Sequence, residues 1–280
     1  MKNIIYTLII LFAITYCTER LDLDYSDTGS SKLIVDGSIT TDTTAHTVRL
    51  NRTVDYSAEE LLPETGATVS ILQDENLIPL TETVPGIYQT DSTVFGKSGK
   101  TYQLQITLGT GEEYHAETVI NAVSSIDSIR FVRESFSFTN DDFYLLYFYG
   151  QEPPERGNFY FWNLYLNDSL YNDTIDEARF ESDDFVNGQY IFDFDIYWVD
   201  PEKIPWDTTT VTLEMLSIPE EYNTYLIELF SETSWRGGPF DPTPANVTTN
   251  ISNGAIGFFY GAAVTRKTIT YIKQESEENE

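Results

Sequence analysis

From Lys32 to about Asn121, apolar and polar positions alternate over short runs. In "TYQLQITL" the side chains of Tyr102, Leu104, Ile106 and Leu108 fall on one side, and those of Gln103, Gln105 and Thr107 on the other. That period of two is the signature of a strand with one buried face. Val48 and Leu50 in "HTVRL" repeat it, as do Ala67, Val69 and Ile71 in "GATVSIL". "KLIVDGSIT" (Lys32–Thr40) adds a β-rich run, and "PGIYQT", "GKSGK" and "GTGEEY" punctuate the runs as turns. About seven short strands with turn signals at this spacing predict an Ig-like or transthyretin-like β-sandwich over residues 32–121.

Beyond "NAVSSID" (Asn121–Asp127) the texture changes, which predicts a second β domain over residues 122–273. "DDFYLLYFYG" and "NFYFWNLYLND" are dense in aromatic residues, as strands are. "QYIFDFDIYWVD" alternates, so Tyr190, Phe192, Phe194, Ile196 and Trp198 are expected on one face and Asp193 and Asp195 on the other. One segment has a different period. Tyr222, Tyr225, Leu226, Leu229 and Phe230 recur at helical spacing in "SIPEEYNTYLIELFSETSW". Ser217 and Glu220 match a capping box, and Pro219 stands where its missing N–H costs nothing. A helix near residues 218–233 follows, its apolar stripe turned to the second sheet. "RGGPFDPTPANVTTN" reads as a long loop, "AIGFFYGAAV" and "KTITYI" as closing strands, and residues 274–280 as an acidic tail. The expected fold class is mainly β: a sandwich, then a second β domain carrying one amphipathic helix.

The N-terminus carries a different signal. A lysine is followed by "IIYTLIILFAI" (Ile4–Ile14), then by Cys17, the one cysteine of the chain. A basic start and a short apolar run form a secretory signal. As a helix the run spans about 16 Å, roughly half a bilayer core, too little for a transmembrane anchor. Residues 1–16 therefore read as a lipoprotein signal peptide, Cys17 as the lipid attachment point, and residues 17–31 as an acidic tether. Ala13 and Thr15 also suit an ordinary small-x-small cut, which would leave a free thiol in an oxidising compartment.

Charge narrows the partners. Forty-five acidic residues face sixteen basic ones, for a net charge of −29. Such a surface repels phosphate backbones, so nucleic-acid binding is not expected, and it favours cations or basic partners. With one cysteine, neither an internal disulfide nor a cysteine-based zinc site can form. His46 and His115 are the only histidines, and they show no metal-ligand spacing. Metal is therefore not expected; calcium at "TNDD" or "ESDD" is the one cation the acids could serve, without an EF-hand loop to support it. Asp193 and Asp195 resemble a catalytic carboxylate pair only in the way that any alternating acidic strand does. No nucleophile elbow, P-loop or dinucleotide fingerprint appears, so the chain is read as non-enzymatic, with no cofactor beyond the N-terminal lipid. Trp235, Arg236 and Phe240 stand out at the end of the helix and in the Gly/Pro loop. Residues of these types anchor interfaces, so they are the candidates for a partner surface.

Several stretches together resemble one family: "CTERLDLD", "KLIVDGSITTD", "HTVRLNRTVDY", "GATVSI", "GIYQT", "GKTYQLQI", "IDSI" and "FDPTPANVTTNISNGAIGFF". In this order, over nearly the whole mature chain, they are similar to the Bacteroidota envelope lipoproteins grouped as domain of unknown function 4249. The resemblance implies an outer-membrane lipoprotein, facing the cell surface or the periplasm, that serves as an accessory or ligand-capture subunit of a TonB-dependent receptor. The alternatives are a surface adhesin or structural envelope lipoprotein without a transporter and, least supported, a secreted hydrolase. The family supplies no catalytic residues to carry over. Cys17 alone matches a functional position.

Overall fold

The computed structural model describes residues 31–54, 61–136, 141–234 and 247–273. Strands β1 (Leu33–Thr40), β2 (Thr47–Arg52), β3 (Leu62–Pro63), β4 (Thr68–Gln73), β5 (Asn76–Val84), β6 (Ile87–Gln89), β7 (Thr101–Thr107) and β8 (Glu113–Val119) come first. They are followed by β9 (Ser128–Phe136), β10 (Asp141–Gln151), β11 (Phe159–Leu166), β12 (Ser169–Leu170), β13 (Arg179–Ser182), β14 (Tyr190–Val199) and β15 (Thr208–Ile218). The helix α1 (Glu220–Thr233) and the last strand, β16 (Ile256–Ile272), complete the order. The protein is mainly β, as its alternation predicts.

One ladder runs β12-β11-β15-β16-β1-β2-β6-β5-β4-β7-β8, with β13 added on β11 and β3 on β2. A separate three-stranded sheet has the order β14-β10-β9. Among the described residues two large apolar cores result, beside a smaller cluster under α1. In the first, Val35, Ile39, Val48 and Leu50 meet Val69, Ile71, Leu104 and Ile106, so the inward positions read from the alternation are the buried ones. In the second, Phe131, Leu146 and Phe148 of the small sheet meet Trp162, Leu164, Leu213 and Met215 of the large one.

β16 joins the two. Its first half, Ile256–Ala262, pairs parallel with β1, and its second half, Ala263–Ile272, antiparallel with β15. Phe259 and Ala263 belong to the first core, whereas Ile269 and Tyr271 pack on the second. Buried core residues up to Ile120 belong to the first core and the second begins at Ile126, and the chain returns to the first at Ile251 and Ala255. All elements from β1 to β16 lie in one compact unit. The close approach of β16 to β1 requires glycine: Gly257 has φ +96°, and a Cβ there would stand 2.0 Å from the Val35 carbonyl oxygen.

Two local expectations are corrected. β14 does not keep one face. Its register against β10 shifts between Leu146 and Tyr147 and again between Phe148 and Gly150, and Asp193 has φ 48°. Each irregularity reverses the in–out alternation, because sidedness has a period of two. Ile196, Tyr197 and Val199 are therefore buried, and Phe192 and Trp198, expected beside Ile196, are exposed. The second correction concerns α1. Ser217 does not cap it. β15 runs directly into the helix, so Ser217 is a buried strand residue, Pro219 occupies the cap position and no side chain caps the end.

The stripe of α1 packs as its spacing predicts, but only in part. Leu226 is buried against Leu216, Ile218 and Ala262. The Tyr222 ring stacks 3.9 Å from that of Tyr260. Burial pushes the Tyr222 hydroxyl pKa well up and that of Tyr260 to about 12, so both stay neutral. Leu229 is half-buried and Phe230 exposed. Among the described residues no helix is long and apolar enough to cross a membrane.

Candidate ligand cavity

A cavity of about 160 Å³ lies where the small sheet meets β11 and β15. β11 alternates strictly, which turns Tyr160 and Trp162 inward. β10 contributes Phe148 and Gln151, and Glu152 follows directly on its end. Met215 of β15 closes one wall. β14 brings Ile191 and Phe194 to the opening, which its bulges allow. Phe185 and Val186, in the turns after β13, form the rim, where Phe185 is 92% exposed. The aromatic walls are inclined to one another: Phe148 meets Trp162 at 5.0 Å and 66°, and Tyr160 meets Trp162 at 6.1 Å and 47°. The Trp162 Nε1 is enclosed by protein and makes no hydrogen bond among the described residues.

The polar end is built around Glu152. Its carboxylate is 4% exposed and accepts a hydrogen bond from the Tyr160 hydroxyl at 2.7 Å. Burial raises its pKa, an effect that the nearby Asp183 reinforces and the Tyr160 bond opposes. The Tyr160 hydroxyl is itself pushed far above its ordinary range by burial and by Glu152. Asp183, also buried, accepts from the Gly157 amide and from Asn158 Nδ2, both at 3.1 Å. Glu181, the other acid at the cavity wall, pairs with Arg179 at 3.1 Å. Among the described residues no cationic side chain pairs with Glu152. An enclosed, mostly apolar space with one carboxyl of perturbed acidity is the general form of a small-molecule site. A wider groove of about 490 Å³ near the start of α1 is lined mainly by polar side chains, among them Glu117, Asn250 and Glu220.

The sequence did not single out these residues. Glu152 is one of forty-five acids, and its neighbours in the cavity come from its own segment and five others. The available signal was a lone acid at the end of an aromatic strand, in "YGQEPP", with a second aromatic strand following. The predicted site residues Cys17, Trp235, Arg236 and Phe240 lie outside the described residues, as do the signal segment and the acidic tail.

The remaining candidates are occupied by structural contacts. Asp193 pairs with Arg130 at 2.8 Å and accepts from the Tyr149 hydroxyl, which lowers its pKa, and Asp195 accepts from Trp198 Nε1 at 3.0 Å. His46 is buried with its Nδ1 3.4 Å from the Thr40 amide, and burial lowers its pKa. His115 lies on the exposed side of β8. In "ESDD", Glu181 and Asp183 have the partners given above, and Asp184 accepts from Ser182. Among the described residues no group of three or more His, Cys, Asp or Glu side chains could hold a metal ion. A family model described as Domain of unknown function (DUF4249) matches residues 18–268. No curated protein matches the chain.

Proposed function

We propose, for a chain that belongs to the family of the domain of unknown function DUF4249, a non-enzymatic ligand-capture role: an outer-membrane lipoprotein, held by a lipid on Cys17, that takes up a small molecule beside a TonB-dependent transporter. One observation carries the capture part of this reading. The cavity of about 160 Å³ has aromatic walls and an exposed aromatic rim. Its size is close to that of apolar cavities, about 150 Å³, that accept a single ring. A purely structural or adhesive lipoprotein needs no such space, because close packing would fill it. The anchor and the transporter partner rest on the sequence and on the family resemblance, as does the docking role of Trp235, Arg236 and Phe240.

The test is ligand titration followed by the fluorescence of Trp162 and the other tryptophans. Ring-sized apolar molecules should change the emission saturably. Ile191→Trp, at the opening, should remove that response while the thermal midpoint holds. A chain that gives no saturable response, or a variant that responds like the wild type, would overturn the capture role.

A further inference from the structure

We infer that the cavity takes an organic cation, an ammonium group carried on a body about the size of one ring, with Glu152 as the counter-charge. This deepens the capture role proposed above and rests on it. Four observations point the same way.

The volume, about 160 Å³, accommodates one ring and little more. The walls include Phe148, Tyr160, Trp162 and Phe194, with Phe185 at the rim. Aromatic rings attract cations through the negative charge density of their faces, and enclosure strengthens the attraction. Both ionisable groups at the wall besides Tyr160 are acids, and only one lacks a cationic partner. Arg179 meets Glu181 at 3.1 Å, whereas the partners of Glu152 are neutral, the Tyr160 hydroxyl at 2.7 Å and the Asn158 side chain. A buried carboxylate without a cation is costly, and an ammonium ion beside it would offset that cost. Finally, the net charge of −29 concentrates cations at the surface and repels anionic ligands.

The cation couples binding to protons. In the empty protein, burial and Asp183 hold the Glu152 carboxyl above its ordinary pKa. A bound ammonium favours the ionised form and lowers that pKa. Below the raised pKa, each cation bound therefore displaces a proton, and affinity climbs as the pH rises to that point, then levels. The charged and titratable groups around Glu152 are Tyr160 on β11, Asp183 after β13, and the Glu181–Arg179 pair on β13. Tyr160 stays neutral throughout, and Glu181 is already paired.

The experiment is calorimetric titration of the full chain in detergent with benzylammonium and with benzyl alcohol, its neutral counterpart, between about pH 4 and pH 8. Benzylammonium should bind, with affinity rising by up to about tenfold per pH unit below the raised carboxyl pKa and flat above it. Benzyl alcohol should show little pH dependence. Glu152→Gln keeps the shape and the acceptor for Tyr160, so the fold should hold. It should weaken the cation about tenfold or more, flatten its pH profile and leave the alcohol unchanged. Phe185→Ala, at an exposed position that cannot unfold the core, should weaken the cation as well. If the alcohol binds as tightly as the cation, or if Glu152→Gln leaves the cation unaffected, the ligand class is wrong while capture stands. If neither probe binds, the capture role itself fails.

Discussion

A carboxylic acid enclosed by aromatic rings is more stable neutral than ionised, and Glu152 is in that position. Its folded pKa is raised above the unfolded value. Stabilisation from this group is therefore complete below the unfolded carboxyl range and is lost as the pH rises through the folded pKa. At neutral pH ionisation of Glu152 therefore weakens the fold. Glu152→Gln should accordingly raise the thermal midpoint at pH 7, by about 2–4 °C for each kcal/mol recovered, and change it little near pH 4. Calorimetric scans at the two pH values check this; an equal shift at both would mean that ionisation is not the cause. A residue that costs stability in the unliganded state and faces a cavity is more readily explained by a ligand than by the fold. Leu104 and Ile106 contrast with it: they are buried at inward positions of β7 that the alternation marks as core.

At the scale of elements, β16 is the strand on which both cores depend. It spans 17 residues and pairs parallel at one end and antiparallel at the other. Its second half also carries Arg266, which binds Asp42 and the buried Glu214, while Glu214 accepts from Asn163 at 2.7 Å. Gly257→Ala should test the close packing at the first end. The new Cβ would collide with the Val35 carbonyl, and φ +96° is strained for alanine. A loss of about 2–4 kcal/mol is expected in urea unfolding, read as a lower midpoint at constant slope. A change under about 0.5 kcal/mol would show that β1 and β16 are free to separate. The bulges of β14 make the complementary point. Its sequence alternates without a break, so nothing in the pattern marks where the chain gains a residue against β10. Those irregularities turn Trp198 and Phe192 to solvent.

For the molecule as a whole, charge and anchoring set the setting in which the cavity would work. Cys17→Ser should move the protein from the membrane to the soluble fraction, since acyl chains contribute about 0.8 kcal/mol per buried methylene and their loss removes stable anchoring. Fractionation follows the release, and intact mass should find a lipid-modified Cys17 at the mature N-terminus. A wild-type chain beginning elsewhere with a free thiol would reject the anchor. The sequence by itself determined the mainly β class, the position of the helix, the inward face of β7 and the acidic surface. These depend on local periodicity and composition, which each short segment carries within itself. Tertiary structure alone decided that β16 pairs with β1, that β14 changes face, and that Ser217 is a strand residue rather than a cap. It also decided which of many acids matters. Glu152 differs from the others by its surroundings, Tyr160, Asp183 and the aromatic walls, and these come together only when strands distant in sequence pack against one another. Burial and desolvation belong to the assembled core, so no stretch of sequence can display them on its own.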